Sequence, residues 1–359
     1  MQFKKKLNNL NILYIIFFSI VLFINVFFFT TLKANTFKIS NIEIEEPFEL
    51  NFNKEEVIDK GFRLAFSELI SMITTSGDKN KISKIPLETI KRLIDSFTMK
   101  DESFVNNEYN VKFDVNFNKK NTLNFFEEKN IFPSIPKKKK LLLIPIFIDL
   151  QKDEILLFND NIFYRKWNEQ NKSYFLLNYI LPTEDLEDLS SLIKNNQSIE
   201  DYDFEEIIKK YNLSENIITF VYKNKKEVRT LSKLKLSNSL KVDTQKYENI
   251  DLDNEKDFFK ILNNLKISYE DYWKNLNQIN TSIKLILRIS IDAKEQLKVR
   301  NFEGIMNRMD LVSDLTITKF DYQNIYFKII YNGTPNKFIE DLKKEGFEIN
   351  NDSEIWKLK

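Results

Sequence analysis

The sequence predicts an α+β protein built from several small modules behind an apolar N-terminal helix. Stretches with alternating apolar residues, typical of strands, are interleaved with stretches that repeat an apolar residue every three or four positions, typical of helices. An apolar run precedes them all, and the last section follows the order β-α-β-β-α-β. These observations predict a signal or anchor helix, a small α+β module, a central α/β layer and a C-terminal ferredoxin-like module.

Residues 1–34 have the layout of a secretory signal. Lysines at Lys4–Lys6 form a positive end, residues 12–29 are almost entirely apolar, and Ala34 closes a short exit with small side chains. The apolar run is also long enough to cross a bilayer as a helix. We therefore predict either a cleaved signal peptide or an anchor in the inner membrane through residues 12–29. The positive end stays cytoplasmic in both cases, so the body is expected in the periplasm.

We predict the small α+β module over residues 37–135, with its elements in the order β-α-α-β-β-α. Its best-defined parts are an amphipathic helix over Lys54–Ile73 and a strand over Tyr109–Phe117, where apolar residues alternate throughout. The other predicted elements are a strand within 37–50, a polar turn over Thr75–Lys84, a helix from Pro86 that buries Ile94 and Phe97, and a short helix over Leu123–Glu128. Pro133 and Pro136 lie in the linker that follows.

We predict the central α/β layer over residues 140–240. The unbroken apolar run Leu141–Ile148 is typical of a strand covered on both faces, as in a mainly parallel sheet. Further strands are predicted over Glu154–Phe158, Tyr174–Leu181 and Asn216–Tyr222, with helices over Leu186–Ile193 and Phe204–Tyr211. Because residues 241–254 are polar and poor in large aliphatic side chains, we predict a linker there.

The last section, residues 255–359, opens with a long amphipathic helix over Glu255–Leu276. The ferredoxin-like unit follows it. Its strands are predicted over Ile283–Ile291, Leu315–Ile317 and Ile325–Tyr331 and within Phe347–Leu358, with a helix through Leu297, Ile305 and Met309 between the first two. Its second helix begins with Thr334 as the cap and Pro335 at the first position, and Gly346 fits its C-terminal end.

Composition excludes several classes of chemistry. The 359 residues contain no cysteine and no histidine, which rules out disulfides, thiolate nucleophiles, Ser-His-Asp triads and Cys/His zinc sites. The five glycines are isolated, so neither a P-loop nor a dinucleotide fingerprint is present. The 54 basic residues balance 53 acidic ones, which argues against a nucleic-acid partner. We assign no cofactor and no catalytic, cofactor-binding or metal-ligating residue.

Two acidic clusters are the densest candidates for chemistry. The first comprises Glu184, Asp185, Glu187 and Asp188. The second comprises Asp201, Asp203, Glu205 and Glu206. Carboxylates in such number serve metal sites or general acid catalysis. Each cluster also coincides with a predicted helix start, where acids complement the helix dipole, and we favour that interpretation.

Aromatic and basic groups give weaker candidates. Tryptophan occurs in three separate segments, at Trp167, Trp273 and Trp356. Single tryptophans can stack on a ligand, but on amphipathic elements they usually pack in the core, which we favour. A polar and aromatic loop comprises Asn159, Asn161, Tyr164, Arg165 and Trp167, near strand ends where a small ligand would bind by default. The basic run Lys137–Lys140 favours a solvated edge over a membrane-surface patch.

Several short motifs resemble an uncharacterised family of exported proteobacterial proteins, known as domain of unknown function 2066. The motifs are Ala65-Phe66-Ser67-Glu68-Leu69 with Ile73-Thr74, Ser96-Phe97, Tyr109–Val115, Arg165-Lys166-Trp167, Leu181–Asp188, Lys210-Tyr211 and Tyr331-Asn332-Gly333. Glu184 stands where that family usually has a glycine. The resemblance covers nearly all of residues 37–359 and implies export, but the family carries no established activity to transfer.

The sequence is consistent with two functions. We favour a non-enzymatic scaffold or accessory module of the cell envelope that binds a protein partner, because composition removes most catalytic chemistry and the leader predicts export. The alternative is a carboxylate-based hydrolase acting on cell-wall glycan. That enzyme requires two acids facing one cleft.

Overall fold

The computed structural model describes residues 36–359, which form a mixed α+β fold with three separate sheets. The prediction of an α+β fold class is therefore confirmed. The predicted signal or anchor over residues 1–34 lies outside the described residues. None of the helices from residue 36 onward combines the length and the apolar character needed to cross a bilayer.

The N-terminal section is a three-stranded antiparallel sheet with helices packed on one face. Its elements are β1 (Thr36–Pro47), α1 (Lys54–Ile73), α2 (Ser76–Ile82), α3 (Leu87–Leu93), β2 (Ile94–Val105), β3 (Glu108–Asn118) and α4 (Lys119–Glu128). The strand order is β1-β3-β2. β3 occupies the centre, and its inward residues pack against α1, as their perfect alternation predicted.

Two predictions in this section are wrong. The segment predicted as a polar turn contains α2, because Thr75 caps that helix by accepting the N–H of Asp78 (3.3 Å). The helix predicted from Pro86 ends before Ile94 and Phe97, which lie in β2 instead. Their spacing fits a helix, but the backbone of β2 pairs with β3 along its length, and this pairing decides the structure.

The central section is built on a six-stranded sheet in the order β5-β4-β7-β8-β9, with β6 also paired to β4. Its elements are β4 (Lys139–Asp149), β5 (Glu154–Leu156), α5 (Ile162–Lys166), β6 (Leu177–Ile180), α6 (Leu186–Lys194), α7 (Glu205–Lys209), β7 (Asn216–Asn224), β8 (Glu227–Leu236), β9 (Ser239–Tyr247) and α8 (Glu255–Leu276). β4 is buried on both faces, as predicted.

The prediction of a mainly parallel sheet is wrong. Only β6 and β7 run parallel to β4, whereas β7, β8 and β9 form an antiparallel meander. Lys225 and Asn238 take left-handed backbone conformations in its two tight turns (φ 55° and 60°). Part of the predicted linker over 241–254 is also strand, since β9 continues to Tyr247. Its polar sequence hid a strand that pairs with β8.

α8 covers one face of the central sheet, and α6 and α7 pack against the other face of β4 and β7. The predicted bounds of α8 are confirmed, and Phe258, Leu262, Leu265 and Tyr269 of its predicted stripe are buried. We grouped this helix with the C-terminal section, but its stripe packs in the core of the central sheet.

The C-terminal section is a five-stranded sheet in the order β11-β12-β10-β14-β13. Its elements are β10 (Leu285–Asp292), α9 (Gln296–Met306), β11 (Val312–Phe320), β12 (Asn324–Tyr331), α10 (Pro335–Lys344), β13 (Ile349–Asn350) and β14 (Trp356–Leu358). The predicted cap is confirmed, because Thr334 accepts the N–H of Lys337 (3.3 Å). Gly346 follows α10 with a left-handed backbone (φ 85°), as its predicted position requires.

Candidate functional site

The first acidic cluster builds the start of α6. The side chain of Asp185 accepts the N–H groups of Asp188 (3.2 Å) and Glu187 (2.8 Å), so Asp185 is the N-cap. These bonds and the ammonium of Lys210 hold the pKa of Asp185 below its ordinary value. Lys210 also binds the mostly buried Asp188 (2.7 Å), and Glu184 accepts the amide of Asn159 (2.7 Å). The predicted helix start is therefore confirmed.

The second acidic cluster has a similar role. Asp203 accepts the N–H of Glu205 (2.9 Å) just before α7, and Glu205 pairs with Lys209 one turn later (2.7 Å). Across residues 36–359, no group of three or more side chains is arranged to hold a metal ion. Asp185 and Asp203 therefore hold the starts of α6 and α7.

The tryptophans pack in or beside the cores. Trp167 is fully buried and stacks on Tyr269, with the ring centroids 6.1 Å apart, and the indole of buried Trp273 donates to the carbonyl of Lys137 (2.8 Å). Trp356 is half-buried against Phe338. Core packing, the interpretation favoured from sequence, is confirmed for Trp167 and Trp273.

The polar and aromatic loop around α5 is bonded within the fold. Asn161 is fully buried, accepts the N–H of Phe163 as the cap of α5 and donates to the carbonyl of Pro145 (3.0 Å). The hydroxyl of Tyr164 donates to the carbonyl of Pro182 (2.7 Å), and Arg165 donates to the carbonyl of Asn159. These side chains therefore position the loop and do not converge on a ligand site.

A cavity of about 820 Å³ does lie near the carboxyl ends of β4 and β7, the region where a ligand was expected by default. Other residues line it, among them Leu150, Glu200, Tyr222, Glu227, Arg229 and Lys246. Its charges are paired internally, because Glu227 binds both Arg229 (2.6 Å) and Lys246 (3.1 Å). Burial and the bond from its hydroxyl to Glu200 raise the pKa of Tyr222, so this phenol stays protonated.

A second feature stands out at one end of the N-terminal sheet. Four large apolar side chains there are exposed, and we call them the aromatic end: Phe48, Leu50, Phe104 and Val105. Leu50 is wholly exposed, and the other three are 49%, 57% and 53% exposed in that order. The ring of Phe48 lies 4.9 Å from that of Phe104, so these two side chains form one apolar surface.

Local sequence explains how the aromatic end forms. β1 stops at Pro47, which has no N–H to continue the ladder, and the N–H of Phe48 then bonds to the carbonyl of Asn107 (2.8 Å). Asn106 and Asn107 make a tight turn between β2 and β3 with left-handed backbones (φ 53° and 61°). Buried Tyr109 supports the patch from beneath, with its ring 4.9 Å from that of Phe104.

Sequence reasoning missed the aromatic end. Its signal was present, because Phe48 and Leu50 are large apolar residues in a short loop between a strand and a helix. Loops seldom expose such side chains without a reason.

No protein-family model matches this chain, and no curated protein matches it. The resemblance to domain of unknown function 2066 therefore stays a prediction. Its motifs fall on α1, on the β2–β3 pair, on α5 and at the start of α6, where the structure gives them structural roles.

Proposed function

We propose that this protein is a non-enzymatic component of the cell envelope that binds a protein partner through the aromatic end. The observation that carries this proposal is the patch itself, since four large apolar side chains are exposed at one end of the N-terminal sheet and the rings of Phe48 and Phe104 are in contact. Contiguous exposed apolar surface rimmed by polar residues is typical of interaction sites. The predicted export of the chain by residues 1–34 supplies the compartment.

We further infer a tandem arrangement of modules for this binding protein. The N-terminal section presents the patch, and the central α/β section supports it. The C-terminal section is a ferredoxin-like unit, which its element order and its strand order support. In such an arrangement the rigid sections hold the binding end at a fixed position.

The hydrolase alternative needs two free carboxylates facing one cleft. The best candidates for such a pair were in the first acidic cluster. There Asp185 caps α6 and shares Lys210 with Asp188, so neither carboxylate is free. We therefore give the partner-binding function precedence.

Localisation is tested by fusing residues 1–40 to a reporter that is active only outside the cytoplasm. We expect activity, because the leader has the layout of a secretory signal. An N-terminus at Asn35 would show cleavage, and an intact chain in the membrane fraction would show an anchor through residues 12–29. A reporter that stays in the cytoplasm would refute the localisation.

Partner binding is tested with a photoreactive amino acid placed at Leu50 in living cells. We expect a discrete crosslinked product there and none from the same group at Leu297, which is also strongly exposed but lies outside the patch. Phe104→Ser should abolish the product, because it removes the ring at the centre of the patch. Equal crosslinking from both positions would refute the proposed function.

A further inference from the structure

The aromatic end is surrounded by acidic residues. Between residues 43 and 60 the chain carries seven carboxylates and two lysines, and the end of the β2–β3 hairpin, residues 100–110, adds three carboxylates and one lysine. Both lysines of the first segment are engaged, Lys54 with Glu102 (2.7 Å) and Lys60 with Glu46. The surface around the four apolar side chains is therefore strongly negative.

Two of these carboxyl groups face each other without a cation between them. Glu45 on β1 is the register partner of Asn110 and Glu108 lies two residues before Asn110 on β3, so the two carboxyl groups are diagonal neighbours on one face of the sheet, and the nearby Glu45 raises the pKa of Glu108. Neither has an ion-pair partner among residues 36–359. Val105 is the register partner of Glu108, so this pair lies beside Val105 on one face of the hairpin, whereas Phe104, the register partner of buried Tyr109, lies on the other face.

The charge and the position of the aromatic end indicate which class of partner it binds: a membrane, a nucleic acid or a protein. A bilayer with anionic lipids and a nucleic acid both carry negative charge, which this surface repels. β1 carries the chain roughly 35–40 Å from Thr36 to Phe48, so the patch lies at the end of the sheet away from the start of β1. A protein segment with cationic and apolar side chains complements both properties of the surface.

We infer that the aromatic end binds a cationic amphipathic segment of its partner. A lysine or arginine of that segment lies between Glu45 and Glu108 beside Val105, and its apolar side chains cross the end of the hairpin to pack on Phe48 and Phe104. An arginine suits this position best, because its planar fork donates to two carboxylates at once. We rest this inference on the proposed function, since it names the chemistry of the same partner.

The test uses the purified full chain and two fluorescent peptides of equal length, which alternate leucine with either lysine or glutamate. Fluorescence anisotropy should show binding of the lysine peptide, weakened by added salt, and no binding of the glutamate peptide. Glu45→Gln combined with Glu108→Gln should raise the Kd about five- to tenfold. The matched control, Glu187→Gln combined with Glu206→Gln, removes the same charge from exposed sites on the central section and should leave the Kd unchanged.

Two outcomes would overturn the inference. Equal weakening by both double variants would show general electrostatic attraction only. Loss of the crosslink at Leu50 in Phe104→Ser, with full retention in the Glu45→Gln and Glu108→Gln variant, would show that the partner binds without the cation. In that second case the proposed function stands, whereas absence of any crosslink at Leu50 in the unaltered chain would refute the proposed function itself.

Discussion

Two regions of this molecule reverse the usual distribution of polarity, and they do so in different ways. α8 buries three charged side chains at intervals of one turn, Lys266, Glu270 and Lys274. The aromatic end exposes four apolar ones. Buried charges must be compensated by bonds within the fold, whereas exposed apolar groups can be compensated by a partner. The buried charges therefore have a structural explanation, whereas the exposed apolar groups are explained by the proposed binding function.

The buried charges of α8 are all bonded. Glu270 accepts the N–H groups of Leu176 (2.9 Å) and Leu177 (2.8 Å), and Lys266 donates to the carbonyl of Gln170 (3.0 Å). Lys274 donates to a carbonyl in the last turn of α1 (2.6 Å). Burial nevertheless raises the pKa of Glu270 and lowers that of Lys266 to about 8. These charges hold specific elements together at an energetic cost.

The sharpest test of this comparison places a charge where no partner exists. Leu287→Asp puts a carboxylate on the buried face of β10, and we expect the C-terminal section to unfold because no described group can bond it. The control is Ile286→Asp on the opposite, exposed face of the same strand, which should fold. Circular dichroism and limited proteolysis measure both. A Leu287→Asp variant as stable as the parent would mean that β10 faces the other way.

The second test removes the carboxylate of Glu270 and keeps the two buried lysines of α8. Glu270→Ala leaves two buried N–H groups without this acceptor and removes the carboxylate that acts on buried Lys266, so we expect a loss of about 3–5 kcal/mol in the free energy of unfolding. Glu255→Ala, an exposed acid in the first turn of the same helix, should cost under about 1 kcal/mol. Urea denaturation measures both. Equal losses would contradict a structural role for Glu270.

The third test measures how the energetic cost of burying Lys266 changes with pH. The pKa of Lys266 is about 8 in the folded chain against an ordinary 10.5, so the unfolded chain binds this proton more tightly between those values. Stability from this residue therefore increases as pH rises from about 8 to about 10.5. Relative to Lys266→Met, the parent should gain about 3 kcal/mol across that range in urea denaturation. Lys260→Met, on the exposed face of α8, should show no such difference, and a flat response of the parent would refute the assignment.

The smallest effect is expected at the acidic cluster. Asp185→Asn keeps an equally good N-cap and Glu187→Gln changes an exposed side chain, so each should alter the free energy of unfolding by less than about 1 kcal/mol. Both variants should complement a deletion strain. Full loss of function with an unchanged melting temperature would instead favour the hydrolase, because a catalytic carboxylate contributes a factor of about 10²–10⁴ in rate.

Periodicity predicted the elements whose own sequence decides their structure. α1 and α8 have the predicted bounds, because each follows an asparagine cap and repeats apolar residues without interruption. β2 was predicted only as a member of the element order, without its bounds, and β9 was missed, because both are edge strands whose pairing with a neighbour decides their structure. The antiparallel meander of β7, β8 and β9 also explains why the central sheet is not mainly parallel, although the apolar sequence of β4 had indicated a mainly parallel sheet.

The candidate site was harder to predict than the fold. The acidic clusters were found from sequence and correctly interpreted as helix starts, since caps depend on local spacing. The aromatic end joins Phe48 and Leu50 to Phe104 and Val105, which only sheet pairing brings together. Contacts of this kind leave no local pattern in a single sequence.

The bond between Lys274 and Ser71 has a consequence for the order in which the chain assembles. It joins residues 203 positions apart, and Asp271 of α8 likewise accepts the N–H of Ser76 across 195 positions. A chain delivered from its N-terminus at about 5–20 residues per second exposes the end of α1 for about 10–40 s before α8 emerges. The carbonyl of Ser71 and the N–H of Ser76 therefore lack their partners on α8 during that interval, in which a holdase chaperone can bind this end of α1.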